Sequence, residues 1–119
     1  MLPRQLRLSK REDFKRVFQC GKSVANREFV CYTFHNPEVE RFRMGVSVSK
    51  KIGNAVIRNR VKRLIREVVR LQAEEIRDHL DLVIIARNRA RDLDFEGVKK
   101  SLNHLFWKGK IFRQRGSQS

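Results

Sequence analysis

The chain has 119 residues, a length that suits one domain with a single hydrophobic core, and it carries a formal net charge of +15. A positive excess of this size favours a nucleic acid or an anionic surface as the partner. The longest apolar run, residues 82–86, is too short to span a membrane, and the first residues lack the apolar segment of a secretion signal. We therefore expect a cytoplasmic protein with no membrane partner.

An N-terminal arm precedes the first predicted helix. In residues 1–8 leucines alternate with arginines, which predicts an ordered arm lying against the domain. The run from Ser9 to Glu12 has the capping-box pattern and predicts the start of a helix that continues to about Gln19. Gly21 suits the left-handed position that commonly ends a helix.

Two aromatic side chains dominate one side of this first helix. Phe14 and Phe18 lie four residues apart, and Val17 shares their side. Burial in the core is the usual role of such a pair. The competing interpretation is a wall on which unpaired bases stack, each contributing about 1–3 kcal/mol. The residues alone leave both interpretations open.

Three strands are predicted next, at residues 23–26, 28–35 and 44–48. In the second strand the even-numbered residues from Val30 to Phe34 face one way and the odd-numbered residues face the other. A polar turn leads into the third strand, which we expect to pair antiparallel with the second as a hairpin.

Small residues leave one side of the third predicted strand open. Gly45, Ser47 and Ser49 alternate there with larger apolar residues. Such open space is expected either of a groove floor or of a place where a helix comes close.

The long helix that follows has two contrasting sides. Asn54 is the predicted N-cap, and apolar residues recur on one side with helical spacing, namely Ile57, Val61, Leu64, Ile65, Val68 and Leu71. The opposite side holds Asn59, Lys62, Arg63, Arg66 and Arg70. A merely solvated basic side is the alternative, but like charges four residues apart repel each other, and bound phosphates would remove that repulsion. We interpret this helix as packing its apolar side on the core and its basic side on a polyanion.

A candidate phosphate site lies at the start of the same helix. Lys50 and Lys51 come just before its predicted N-terminus, where unpaired N–H groups and the helix dipole attract anions. We assign these two lysines, with Arg70 of the basic side, to that candidate site.

The C-terminal third predicts one strand and one helix. Residues 82–86 are continuously apolar, which is typical of a central strand covered on both faces. Asp94 is the predicted N-cap of the last helix, whose inner side holds Val98, Leu102, Leu105 and Phe106. We expect one nucleic-acid-binding domain over residues 1–112 and a disordered basic tail over residues 113–119.

The sequence contains no recognisable pattern for a metal site or for a catalytic nucleophile. Cys20 and Cys31 are too few and too far apart for a disulfide framework or a zinc site, and we expect buried or half-buried thiols. Asp92, Asp94 and Glu96 surround a helix start, where capping explains them. A nuclease that carries its own active site therefore lacks a recognisable set of catalytic residues, and we predict no metal ligands.

One extended motif resembles a known family. Residues 58–66, RNRVKRLIR, preceded by residues 45–51, GVSVSKK, resemble the RNR signature of the bacterial ribonuclease P protein family. The resemblance runs from residues 7–8 to residues 105–106 in the family's order and spacing. Composition alone would fit a structural RNA-binding protein of the ribosomal kind equally well, and the motif separates the two.

The resemblance implies a fold and an activity. The implied fold is an α+β sandwich of order αβββαβα, with about four strands in a mixed sheet and the long basic helix in a left-handed crossover. It implies that catalysis belongs to an RNA subunit, which uses Mg²⁺ to cleave the 5′ leader from precursor tRNA, so the protein itself supplies no catalytic residue. It also implies a monomeric protein in a one-to-one complex with ribonuclease P RNA, and it admits a dimeric holoenzyme.

The resemblance also implies two groups of binding residues. The RNA subunit would contact the signature helix at Arg58, Asn59, Arg60 and Arg63. The single-stranded leader would lie in a cleft between the first helix and the sheet, at Phe14, Phe18, Tyr32, Lys62 and Arg66.

Overall fold

A computed structural model describes residues 2–113, and within them three α-helices pack with a four-stranded sheet. The elements in chain order are α1 (Arg11–Cys20), β1 (Lys22–Ala25), β2 (Phe29–His35), β3 (Phe42–Ser47), α2 (Ala55–Leu71), β4 (Leu80–Ala86) and α3 (Phe95–Lys108). The predicted α+β class and the order αβββαβα are confirmed. Of the predicted tail, Arg113 pairs with Asp78 at 2.8 Å, and residues 114–119 lie outside the described part.

The strand order in the sheet is β1-β2-β4-β3. The central position predicted for residues 82–86 is confirmed, because β4 pairs antiparallel with β2 and parallel with β3. The predicted β2–β3 hairpin is wrong, since β4 lies between those strands: Ile84 faces Cys31 on one side and Val46 on the other. The chain favours this order because β4 is the most apolar strand and needs cover on both faces. Helix α2 connects the parallel pair, and the handedness of that crossover stays a prediction.

The main core fills the space between one face of the sheet and helices α2 and α3. Side chains of all three parts are fully buried there, including Phe29, Leu82, Val61, Ile65 and Phe106. The predicted inner side of α3 is confirmed, as is the capping by Asn54 and Asp94, whose side chains accept from the N–H groups of Ile57 at 3.0 Å and Gly97 at 2.8 Å.

The buried side of α2 differs from the prediction at one end. Leu71 is 58% exposed, whereas Val69, which lies between the apolar and basic sides of the wheel, is fully buried. The reason is that both the sheet and α3 contact α2, so a wider arc is covered than one partner alone would cover.

A smaller core lies under α1 on the other face of the sheet. Leu8, Val17 and Val83 are buried there, and Phe14 and Tyr32 pack against them. The predicted capping box of α1 is wrong: Lys10 takes the N-cap position, without a side-chain hydrogen bond. Gly21 is also extended rather than left-handed, with φ −88°. It is a glycine because a Cβ there would collide with the carbonyl oxygen of Thr33.

The N-terminal arm joins the two cores, and its predicted order is confirmed. Leu2 and Leu6 are buried in the main core, while Leu8 is buried in the smaller one. Between them Arg7 forms a bridge to Met44, and the Leu8 N–H donates to the Met44 carbonyl oxygen at 3.0 Å. The arm thus passes over the β3 edge of the sheet.

The two cysteines differ in their surroundings. Cys31 is buried in the main core, and burial raises the pKa of its thiol to about 12. Cys20, at the end of α1, is exposed, so the expected burial holds for Cys31 only. No helix within residues 2–113 is both long enough and apolar enough to cross a membrane.

Candidate nucleic-acid interface

Phe14, Phe18 and Tyr32 form an aromatic wall between α1 and β2. The rings of Phe18 and Tyr32 meet edge to face, with centroids 5.0 Å apart. Phe18 is 41% exposed, whereas Phe14 and Tyr32 are half-buried against the smaller core. The two interpretations of the phenylalanines are therefore divided between them: Phe14 packs, and Phe18 offers an accessible ring.

Gly45 explains how Phe14 reaches this position. The Phe14 ring lies directly over Gly45, where any Cβ would overlap it. Two positions further along β3, Ser47 is exposed. The small residues of this strand thus serve both predicted purposes, since a helix comes close at Gly45 and the face stays open at Ser47.

An open strip of the sheet continues beyond the aromatic wall. Cross-strand partners share a face, and the register pairs Ala25 with Val30, Val30 with Ile85, and Ile85 with Ser47. Val30 and Ile85 are half-buried, and the two outer residues are exposed. This open strip (Ala25, Val30, Ile85 and Ser47) is an apolar floor with a polar edge, next to the exposed ring of Phe18.

A buried ion network ties α1 to the sheet. Asp81 is fully buried and accepts two hydrogen bonds from Arg43, at 2.9 and 2.8 Å, and a third from Asn36 at 3.0 Å. The same guanidinium reaches Asp13 of α1 at 3.3 Å. The hydrogen bond from Arg43 to Asp81 raises the pKa of the guanidinium, so it stays charged. Because Asp13 adjoins Phe14 in the chain, this network sets where the aromatic wall stands.

The basic side of α2 retains uncompensated charge. Within residues 2–113, no ion pair joins Lys62, Arg63 or Arg66 to a carboxylate. Arg63 is exposed, and the other two are half-buried. Such a side is expected of a helix that meets phosphates, since counterions rather than protein groups balance its charge.

The first two arginines of the signature are used within the fold. Arg60 donates to the carbonyl oxygens of Arg91 at 3.3 Å and Leu93 at 3.0 Å, and Arg58 donates to that of Gly53 at 3.2 Å. The two Arg60 bonds hold the segment before α3 against the first turns of α2, and the Arg58 bond stays at the start of α2. Carbonyl groups carry no net charge, so both guanidiniums keep their positive charge.

The candidate phosphate site does not hold together as one site. Lys50 and Lys51 are exposed on a 3₁₀ turn just before α2, but Arg70 lies in the last turn of that helix, about 22 Å of helix away at 1.5 Å per residue. Arg70 is also held by Glu67 through hydrogen bonds of 2.9 and 2.7 Å, which lower the pKa of the Glu67 carboxyl. Any phosphate binding near the lysines must therefore do without Arg70.

A family model described as Ribonuclease P matches residues 2–110 of this chain. The chain belongs to the ribonuclease P protein family. The ribonuclease P protein component of Bacillus velezensis is 54% identical over 94% of this chain and 96% of that protein. The component of Listeria innocua is 46% identical over 99% of both. The RNase P protein of Staphylococcus aureus has a structure with TM-score 0.86 and 44% identity, covering 91% of this chain and 98% of that one.

Within this member of the family, the residues implied for the leader fall into two groups. The aromatic wall lies under α1, whereas Lys62 and Arg66 extend from α2, whose apolar side packs on the opposite face of the sheet. The residue patterns do not single out the open strip or Arg43 as parts of this interface. The alternation of small residues in β3 was the only signal for the strip, and the ion network had none.

Proposed function

We propose that this protein is the cytoplasmic protein subunit of ribonuclease P, binding the catalytic RNA subunit and the single-stranded 5′ leader of precursor tRNA. The observation that supports this most is the exposed Phe18 ring beside an apolar open strip, in a protein whose α2 carries uncompensated charge. Bases stack on aromatic rings with little sequence preference, which suits leaders of varied sequence.

In this proposal the protein assists the catalytic RNA and does not itself cleave the substrate. A leader held near a large catalytic RNA experiences phosphate repulsion, and a domain of charge +15 between the two screens it. The RNA subunit would bind the Mg²⁺ ions and cleave the bond. Within residues 2–113, no group of three histidine, cysteine or acidic side chains is placed to hold a metal ion. The protein would therefore raise metal affinity only indirectly, by holding the substrate in register.

Reconstitution with ribonuclease P RNA tests the proposal. The holoenzyme should bind precursor tRNA that carries a leader more tightly than mature tRNA, and should release the leader in the presence of Mg²⁺. Equal binding of the two substrates would instead favour a structural RNA-binding role. Cleavage by the purified protein without the RNA would support a nuclease with its own active site.

Replacing Phe18 by alanine should reduce the preference of the holoenzyme for the leader by about 1–3 kcal/mol, because a stacking surface is lost. Binding of mature tRNA should stay the same. Trp107→Ala, which removes a 68% exposed ring on α3, serves as the matched control and should leave the preference unchanged. A loss of stability of about 3–5 kcal/mol in Phe18→Ala, with both substrates affected equally, would show that the ring belongs to the core.

Replacing Arg66 by alanine should weaken RNA binding by about 1–3 kcal/mol and reduce the slope of log affinity against log salt by about one. The reason is that one phosphate contact, with its released counterion, is lost. Arg77→Ala makes the same change of charge at an exposed position outside α2. A titration that gives both variants the same salt slope would argue against a phosphate contact at Arg66.

A further inference from the structure

An open pocket of about 590 Å³ lies between the N-terminal arm and α2. Arg7 of the arm lines it together with Arg63, Leu64, Arg66 and Glu67 of the helix. Its volume falls in the range of sites for small organic ligands. Part of the lining comes from an arm whose place depends on the burial of Leu2, Leu6 and Leu8, so the complete fold is required to form it.

The charges around this pocket are unbalanced. Three guanidiniums line it, and within residues 2–113 no ion pair joins Arg7, Arg63 or Arg66 to a carboxylate. Glu67, the acidic residue of the lining, binds Arg70 through both carboxylate oxygens. Three cations gathered around one space repel each other, and a bound anion would remove that repulsion.

The apolar part of the lining narrows the class of ligand. Leu64 is half-buried and packs against the main core, so it presents a fixed apolar surface to the pocket. The Nε of Arg7 donates to the Leu2 carbonyl oxygen at 2.9 Å, which orients its guanidinium. A guanidinium fork matches phosphate oxygens, and its flat face stacks on a nucleobase. An apolar surface among three such groups suits a ligand with both a base and a phosphate.

Arg7 also has a particular place in the fold. It lies between Leu6, in the main core, and Leu8, in the core under α1, where the arm passes over the β3 edge. The basic side of α2 and the aromatic wall belong to opposite faces of the sheet, and Arg7 stands between them. An RNA strand that crosses the β3 edge would contact Arg7 on its way from one group to the other.

We propose that Arg7, Arg63 and Arg66 bind one unpaired RNA nucleotide, with its base on Leu64 and its phosphate among the guanidiniums. The proposal rests on the proposed function and adds to it a contact from the N-terminal arm. The nucleotide belongs either to the RNA subunit or to the leader of the precursor, because both supply the same chemistry.

The test compares Arg7→Met with Arg4→Met in the full-length protein. Arg4 is an exposed residue of the same arm, outside the pocket, so both variants lose one positive charge. Affinity is measured over a range of salt, first for ribonuclease P RNA alone and then for holoenzymes with leader-bearing precursor or mature tRNA. Arg7→Met should bind about tenfold more weakly, with a salt slope smaller by about one, while Arg4→Met stays within about twofold of the wild type.

Comparing the RNA subunit alone with the two tRNA substrates shows which RNA supplies the nucleotide. A loss with the RNA subunit alone assigns the nucleotide to that RNA, and a loss confined to leader-bearing precursor assigns it to the leader. If Arg7→Met and Arg4→Met had equal effects while the wild-type protein still bound RNA, nucleotide binding in this pocket would be contradicted. The proposed function would be unaffected. Failure of the wild-type protein to bind either RNA would overturn both.

Two further variants distinguish the loss of a ligand contact from a loss of protein stability. Arg7→Lys keeps the charge but lacks the fork, and it should recover the salt slope while regaining only part of the affinity. The double variant Arg7→Met, Arg63→Met should lose less than the sum of the single losses, because both residues contact one ligand. Strictly additive losses in proteins with an unchanged melting temperature would show that the two arginines bind separately.

Discussion

Replacing Arg43 by methionine should lower the free energy of unfolding by about 3–5 kcal/mol, because the carboxylate of Asp81 stays fully buried and loses its charged partner. Asn36 would remain to donate a hydrogen bond, but an amide does not balance a charge. Denaturation by urea, followed by circular dichroism, measures the loss as a lower midpoint at an unchanged slope. The holoenzyme should also lose leader preference, since Asp13 and the aromatic wall would no longer be held.

A nearby arginine provides the control for this experiment. Arg41 pairs with Glu74 at 3.5 Å, and the Glu74 side chain is 85% exposed, so Arg41→Met should cost at most about 1 kcal/mol. Adding Asp81→Asn to Arg43→Met should recover part of the stability by removing the unpaired charge. If Arg43→Met cost no more than Arg41→Met, the buried network would not be what holds α1 in place.

Replacing Ile65 by aspartate should unfold the protein, because it places a carboxylate in the main core with no partner. The expected cost of several kcal/mol takes up most of the stability of a domain of this size. Loss of the folded circular dichroism spectrum at room temperature is the measurement, and ribonuclease P RNA should no longer bind with wild-type affinity.

The same substitution at Leu71 separates burial from helix propensity. Helical periodicity places Leu71 on the same apolar side as Ile65, yet its side chain is 58% exposed. Leu71→Asp should therefore cost only about 1 kcal/mol or less, mainly from a negative charge at the C-terminal end of the helix. Two equally destabilised variants would contradict the packing described for α2.

Local patterns were sufficient to predict most elements of this fold. The caps at Asn54 and Asp94 and the buried side of α3 follow from residues within a few positions of each other, and the structure confirms them. Strand pairing is harder to predict from local patterns. The alternation in β2 and β3 fits pairing of these strands with each other as well as pairing of each with β4. Only the need to cover β4 on both faces decides between a hairpin and a central β4, and that depends on residues more than 30 positions apart.

The candidate site was predictable in its parts but not in its arrangement. The sequence indicates stacking as one of two alternatives for Phe18, and the 41% exposure of its side chain favours that alternative, which stays a prediction. It placed Arg70 with Lys50 and Lys51, because a helical wheel does not show distance along the axis. Arg7 and Arg43 depend on contacts between distant segments, with Met44 and with Asp81, for which a single sequence contains no local signal.

The central position of β4 has a consequence for synthesis of the chain. Neither β2 nor β3 has its inner partner until residues 80–86 have left the ribosome, so the nascent protein exposes two unpaired strand edges during most of translation. A fragment that stops before Leu80 would keep those edges exposed and should aggregate. The sheet can therefore close only late in synthesis, after translation has passed residue 86 of the 119.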